Sequence, residues 1–232
     1  MTNINGAVVL VVGASGGLGQ RIASRLAEAG TTVVRAARNP ATLAGPDAYL
    51  ADLRAPESAD ALLLAAAAAH PEHLDGVVIA AGAVAFGPVG ELDDDTLDAL
   101  FAVNTSAPIR LIRGALPRLS ESAAAGRKPF IVTISGIVAE SPTAGMAAYS
   151  ASKAGLAAFV QAASRELRRS GIRVLDARPG HTETELSRHP LAGTAPTFPA
   201  GLDPDAVADR IVAAIVNDEK DLPSSAFTPP AN

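Results

Sequence analysis

The stretch Val8–Gly30, VVLVVGASGGLGQRIASRLAEAG, decides the fold. It opens on an unbroken run of Val and Leu without alternation, the pattern of a strand buried on both faces. The run stops at Gly13, and an amphipathic stretch with helical spacing follows a few residues later. Between them Gly13, Gly17 and Gly19 keep a G-x-x-x-G-x-G spacing. Glycine lets a turn tighten and lets backbone come close to a diphosphate, which a helix N-terminus then holds through its partial positive charge. Three spaced glycines exceed what an ordinary strand-to-helix turn requires. The stretch predicts a dinucleotide-binding strand–loop–helix unit.

Outward from this unit the alternation repeats. Ala7–Val12, Thr32–Ala36, Gly76–Ala80, Pro129–Ile134 and Arg173–Ala177 read as short buried strands rich in Val and Ile. Leu18–Ala29, Glu57–Ala69, Asp94–Leu119, Met146–Ser170 and Pro204–Asn217 carry helical patterns. Strands that alternate with helices and are apolar throughout predict a parallel sheet covered on both faces. The expected fold is therefore α/β: a doubly wound, three-layer sheet of Rossmann type. The Ala-rich run Leu62–His70 is a closely packed helix, since Ala is the best helix former. No linker divides the chain, so residues 1–232 are expected to form one domain. Ser187–Pro204, punctuated by Pro and Gly, is long for a loop and follows the last clear strand; it is either a substrate lid over the C-terminal sheet edge or a surface excursion.

Composition narrows the partners. A net charge of −5 and only 3% aromatic residues provide neither the basic surface nor the stacking platforms of a nucleic-acid binder. No apolar run is long enough to cross a bilayer, and Ala7–Val12 lacks the flanks of a signal segment. With no cysteine there is no disulfide framework, and a cytoplasmic protein is the expectation. His70, His73, His181 and His189 have no metal-ligand spacing, read as surface or loop residues, and predict no metal.

Gly13–Gly17 also fits the G-x-S-x-G elbow of a hydrolase, with Ser15 as nucleophile and His181 or His189 as base. That elbow needs strands built before it, and Ser15 follows the first strand. The dinucleotide reading is the stronger. At the end of the second strand a fold that prefers NAD usually places an acid for the ribose 2′-hydroxyl. Here stand Ala37 and Arg38, and a guanidinium can pair with a 2′-phosphate through its planar fork. NADP(H) is the expected cofactor, with NAD(H) possible.

Tyr149 and Lys153 are four apart on a predicted helix and so share a face. An unperturbed phenol titrates near ~10 and is a poor base at neutral pH, but a neighbouring ammonium favours its ionised form. Such a pair suits proton exchange with an alcohol or ketone oxygen. Taken alone, it also fits a half-buried tyrosine beside a solvent-facing lysine.

Together these features resemble the short-chain dehydrogenase/reductase family. The resemblance rests on the glycine loop, Asp52-Leu53, Ala81-Gly82, Asn104, Thr133–Ser135, the Y-S-A-S-K run Tyr149–Lys153 and Pro179-Gly180. These occur in the family's order from residue 7 to about residue 186. The resemblance implies Tyr149 as proton donor or base, with Lys153 lowering its pKa and holding the nicotinamide ribose. It implies Asn104 at the kink of a long helix, organising a water-linked proton relay, and Ser135 as the hydroxyl of the site. Ser15, Gly16, Gly17 and Leu18 would meet the phosphates beside Gly13 and Gly19, while Arg38, Asp52 and Leu53 would border the adenosine. Ala80, Ala81 and Gly82 would line the cofactor, and Pro179, Gly180, Thr182 and Thr184 would contact its nicotinamide end.

Four departures stand out. Val12 replaces the usual Thr, and Ile79–Gly82 lacks the family's asparagines. The terminal stretch Asp221–Asn232 lacks a glycine-rich last strand. Counting back from Tyr149 at the family's spacing reaches Gly136, one residue beyond Ser135, and such an offset at a strand end would point Ser135 to the other side. Either the loop shifts to bring Ser135 in, or Ser141 or Thr143 substitutes, or the site works without a hydroxyl there. The implied activity is NADP(H)-dependent interconversion of a carbonyl and a secondary alcohol on a small or medium substrate, in a homo-oligomer. The alternative is a weakly active or non-enzymatic dinucleotide-binding regulatory protein.

Overall fold

The computed structural model describes residues 1–39, 43 and 47–227; the end of the terminal stretch, residues 228–232, lies outside the described residues. The strands are β1 Val8–Val12, β2 Thr32–Ala37, β3 Ala48–Leu50, β4 Gly76–Ile79, β5 Phe130–Ile134 and β6 Arg173–Ala177. All pair in parallel, in the order β3-β2-β1-β4-β5-β6. The expected doubly wound sheet is therefore present, and its direction of growth reverses between β1 and β4. That reversal opens a crevice at the C-terminal ends of these strands.

The helices are α1 Gly17–Glu28, α2 Ser58–Ala69, α3 Asp94–Phe101, α4 Ala107–Ala124, α5 Ala147–Leu167 and α6 Pro204–Val216. β1 shows why its sequence has no alternation: every residue is buried, because both faces are covered. Leu10 and Val12 pack with Leu62 of α2, Leu111 of α4 and Leu156 of α5. Val9 and Val11 pack with Ile22 and Leu26 of α1 and with Val207 and Ile211 of α6. Local signals set the helix starts. Asp93 accepts the Thr96 amide at 2.6 Å to cap α3, and Asp203 caps α6 with Pro204 in its first turn.

The structure departs from the sequence reading in two elements. β3 was not expected: it is a three-residue edge strand with no fully buried side chain, so it carries no apolar signature. The helix expected over Asp94–Leu119 is a composite. A π-helical turn at Ala102–Ser106 joins α3 to α4, and α4 runs on to Ala124. The extra residue of that turn lets Asn104 point inward, where it is fully buried. No helix among the described residues is long and apolar enough to cross a membrane.

At the β6 edge, where the sequence lacks a glycine-rich last strand, one residue supplies the pairing. Leu222 donates to the Asp176 carbonyl at 3.2 Å and accepts from the Arg178 amide at 2.9 Å. Its side chain is fully buried beside Ala177 and Leu175. Leu222→Ala is expected to cost about 2–5 kcal/mol, the range for truncating a buried leucine. Urea denaturation followed by circular dichroism measures it, and a loss below about 0.5 kcal/mol would show that this edge contributes little.

Candidate active site

The glycine loop packs backbone against backbone. Gly13 adopts φ +87°, and a Cβ there would lie 2.5 Å from the Ala81 nitrogen. A Cβ on Gly19 would lie 2.1 Å from the Gly13 carbonyl oxygen, and one on Gly17 would lie 2.7 Å from Thr184 Cγ2. The loop is thus pressed against the end of β4 on one side and the segment after β6 on another. No side chain caps α1 at Gly16, so its first-turn amides face the crevice without a protein acceptor there.

A cavity of about 610 Å³ runs along this crevice. Its walls bring together Gly13, Ser15, Gly16, Gly17 and Leu18 with Ala80, Ala81 and Gly82. Pro179, Gly180, Thr182 and Thr184 close the side beyond β6. Arg38, Asp52 and Leu53 line one end, as does Arg54, which the sequence reading missed. Arg54 Nε and Nη2 bond Asp52 at 3.1 and 2.5 Å, and with Arg38 they hold its carboxyl below the usual range. Two guanidiniums therefore face one carboxylate. Gly19 does not line the cavity; it lies beneath the loop, as its contact with Gly13 requires.

Tyr149 and Lys153 project from α5 into the cavity's middle. Lys153 Nζ donates to the Ile134 carbonyl at 2.8 Å. Burial pushes Lys153 down to about 8, against the attraction of Asp176, and pushes Tyr149 up to about 12. In place of the lowering of Tyr149 expected from the sequence, desolvation raises it, since burial disfavours both charged forms.

Asn104 does not reach the cavity wall. Its Nδ2 donates to the Ala83 carbonyl at 2.8 Å and to Ser152 Oγ at 3.0 Å, while Oδ1 accepts from the Ala83 amide at 2.9 Å. It clamps the loop after β4 to the π turn and to α5.

Ser135 lines the cavity between Ile134 and Gly136. Its buried hydroxyl is engaged beneath the wall, donating to Asp176 Oδ2 at 2.5 Å. The reason is the one anticipated from the spacing, since a one-residue offset at a strand end reverses the side chain. Of the two substitutes, Thr143 lines the cavity and Ser141 does not.

The far end is apolar and was poorly legible. Val84, Phe86, Val138 and Met146 pack together with Tyr149 and Phe198. The segment 187–204 crosses above them. Leu191 donates to the Val84 carbonyl at 2.8 Å, Phe86 donates to the Ala192 carbonyl at 2.9 Å, and Leu202 donates to the His181 carbonyl at 2.7 Å. His181, read from sequence as a surface or loop residue, lines the cavity and stacks on Phe198 at 4.4 Å. Neither His181 nor His189 bonds Ser15; they lie 3.5 and 3.6 Å from Glu183 and Glu185, which leaves the hydrolase reading without a base.

Comparison with known proteins agrees with this geometry. The family model for short chain dehydrogenases matches residues 7–192. A Staphylococcus aureus protein named an uncharacterized oxidoreductase is 29% identical over 225 residues, 93% of each chain. A short-chain dehydrogenase structure from Streptomyces avermitilis is 30% identical, with a TM-score of 0.81 over 96% of this chain and 90% of that one. A metagenomic short-chain oxidoreductase solved with NADP is 31% identical, with a TM-score of 0.77 over 96% and 98%.

The close approach at Gly13 has a direct test. Gly13→Ala places a Cβ in a left-handed backbone and against the Ala81 nitrogen, which costs at least about 1–3 kcal/mol of strain. The thermal midpoint should fall accordingly, and an unchanged midpoint would show that the loop can move away from β4.

Proposed function

The chain belongs to the short-chain dehydrogenase family of oxidoreductases, and we propose that it is an NADP(H)-dependent enzyme interconverting a carbonyl and a secondary alcohol on a small or medium, uncharged, largely apolar molecule. One observation carries this reading: the glycine loop, Tyr149 and a buried Lys153 line a single cavity.

The residues present fit a dinucleotide. Gly13 and Gly17, where any Cβ would collide with Ala81 and Thr184, let the loop lie low beside the cavity, and the uncapped N-terminus of α1 suits a diphosphate. Ser15, Gly16 and Leu18 would contribute beside them, while Ala80, Ala81 and Gly82 would flank the cofactor's middle. Leu53 and Asp52 would border the adenine. Arg38, exposed at the end of β2, and Arg54 would take a 2′-phosphate, which favours NADP(H) over NAD(H). Pro179, Gly180, Thr182 and Thr184 would meet the nicotinamide end.

The bound cofactor supplies or accepts the hydride. The chain's own groups handle the proton and the geometry. Tyr149 gives its phenolic proton to the carbonyl oxygen, or takes one from the alcohol. The Lys153 ammonium holds the ribose hydroxyls and favours the phenolate, a partnership that must overcome the burial seen at both groups. Asn104 keeps the loop after β4 in place and so fixes one wall. Thr143 supplies the donor that Ser135 does not. Phe86, Met146, Leu191 and Phe198 shape the substrate end, and 187–204 forms its lid. Among the described residues that end has no lysine or arginine apart from Lys153, so an anionic substrate would find no partner.

Two measurements test this. On a panel of apolar ketones with NADPH, Tyr149→Phe should reduce turnover by at least ~100-fold, at the low end of the range for general acid–base catalysis, while leaving NADPH binding near that of the parent. Turnover that survives the change would remove Tyr149 from the reaction; binding without any turnover by the parent would favour the regulatory reading. Separately, Arg38→Ala should weaken NADPH at least about tenfold relative to NADH, measured by fluorescence titration, as expected for losing a charge-assisted contact. An unchanged ratio would remove Arg38 from the assignment.

A further inference from the structure

Beneath the cavity lies a buried carboxylate that the proposed reaction does not use. Asp176 stands in β6 directly across from Thr133 of β5. It accepts from Thr133 Oγ1 at 2.7 Å, from Ser135 Oγ at 2.5 Å and from Arg178 Nη1 at 3.2 Å. Arg178 is itself shared: Glu140 accepts from its Nε at 2.5 Å and Asp221 from its Nη2 at 2.7 Å. Three carboxylates thus draw on one guanidinium, which leaves Asp176 less than a full counter-ion.

The other cation within its field is Lys153. Their contacts fall on adjacent residues, because Lys153 Nζ bonds the Ile134 carbonyl and the next side chain, Ser135, bonds Asp176. The Ser135 amide also donates to the Ala177 carbonyl at 3.1 Å, so β5 is held to β6 on both sides of Asp176.

We propose that Asp176 is a positioning residue for Lys153: it fixes, through Thr133 and Ser135, the strand end whose Ile134 carbonyl grips the ammonium, and it is that ammonium's buried counter-charge. The proposal rests on the reading of Lys153 as the partner of Tyr149 and of the cofactor ribose. It gives Ser135 a task in place of the one its position denies it. Asp176 is also the attraction that works against the desolvation of Lys153.

The groups around Lys153 define what the carboxylate competes with. Tyr149 lies on the same helix, and Asn104 on the π turn is neutral. Arg178 and, through it, Glu140 and Asp221 lie on the Asp176 side. His181 lines the same cavity beyond Gly180, and Arg38, Asp52 and Arg54 occupy its far end.

The chain has three lysines, Lys128, Lys153 and Lys220, which makes the ammonium directly observable. With lysine labelled with ¹³C at the ε position, NMR titration of the full chain should show the Lys153 midpoint falling by about one pH unit in Asp176→Asn, with Lys128 and Lys220 unmoved. The alkaline loss of NADPH binding, read by fluorescence, should move to lower pH by the same amount. A role in stability alone would lower the melting temperature and leave both midpoints in place, which would overturn the proposal. Should Asp176→Asn fail to fold, Arg178→Gln decides: with the competing cation gone, the Lys153 midpoint should rise, and a midpoint that stays or falls would overturn it. A parent protein that binds neither NADPH nor NADH would instead sink the functional reading, while the Lys153 titration would still report on Asp176.

Discussion

The structure turns on a contact that leaves no room for a side chain: Gly13 at the end of β1 against Ala80 and Ala81 at the end of β4. β1 and β4 are neighbours in the sheet although two strands and two helices separate them in sequence. The chain leaves these strands in opposite directions across the sheet, so their C-terminal ends diverge and the crevice opens between them. With no Cβ at Gly13, the loop stays low and α1 begins at the crevice floor. With no Cβ at Gly19, the first turn of α1 can sit on the Gly13 carbonyl. The same closeness recurs at Gly17, which the segment after β6 approaches through Thr184. The positions of the helix N-terminus, the β4 wall and the β6 wall all follow from where glycine permits contact.

Above that floor the chemistry is set by a contest between burial and charge. Moving a lysine from 10.5 to about 8 corresponds to roughly 3 kcal/mol against its ammonium. That cost is borne in full below about pH 8 and fades as the pH rises toward 10.5, where the unfolded chain's lysine also loses its proton. Tyr149 is displaced the other way, to about 12, because the same apolar surroundings penalise a phenolate. A tyrosine and lysine four apart do not by themselves make an acid–base pair in such a place. They need the Ile134 carbonyl on the ammonium and a negative charge nearby, and Asp176 is the buried carboxylate that supplies one.

Legibility in the sequence followed the range of the interactions. β1, the glycine loop and α5 were readable because short-range periodicity and spacing encode them, and the strand bounds fall within one residue of those expected. β3 was not, because Tyr49 and its neighbours pair at an edge and bury no side chain fully. The π turn was hidden since its cause is distant: Asn104 is held by Ala83 and Ser152, neither of which is near it in sequence. Arg54 left only its neighbour Asp52 as a signal. The apolar end escaped for the same reason as the π turn. Phe86, Met146, His181 and Phe198 come from four separate segments, and their meeting is a property of the loops alone.

The serine offset shows how a departure from a family pattern can be structural rather than a loss. The amides of Ser135 and Gly136 both donate to the Ala177 carbonyl, at 3.1 and 3.3 Å, so two residues of one chain face a single acceptor on β6. Such doubling shifts everything beyond it by one position, as in a bulge. Gly136 takes up the shift with φ +76°, a conformation that a side chain rarely adopts. The missing hydroxyl at 136 and the buried one at 135 are therefore one feature of the backbone. A serine placed at 136 would find space, its Cβ meeting only the Pro179 carbonyl oxygen at 3.8 Å, but would carry the strain of that φ. The usual serine is thus opposed by backbone conformation alone, two residues beyond the Ile134 carbonyl that holds Lys153.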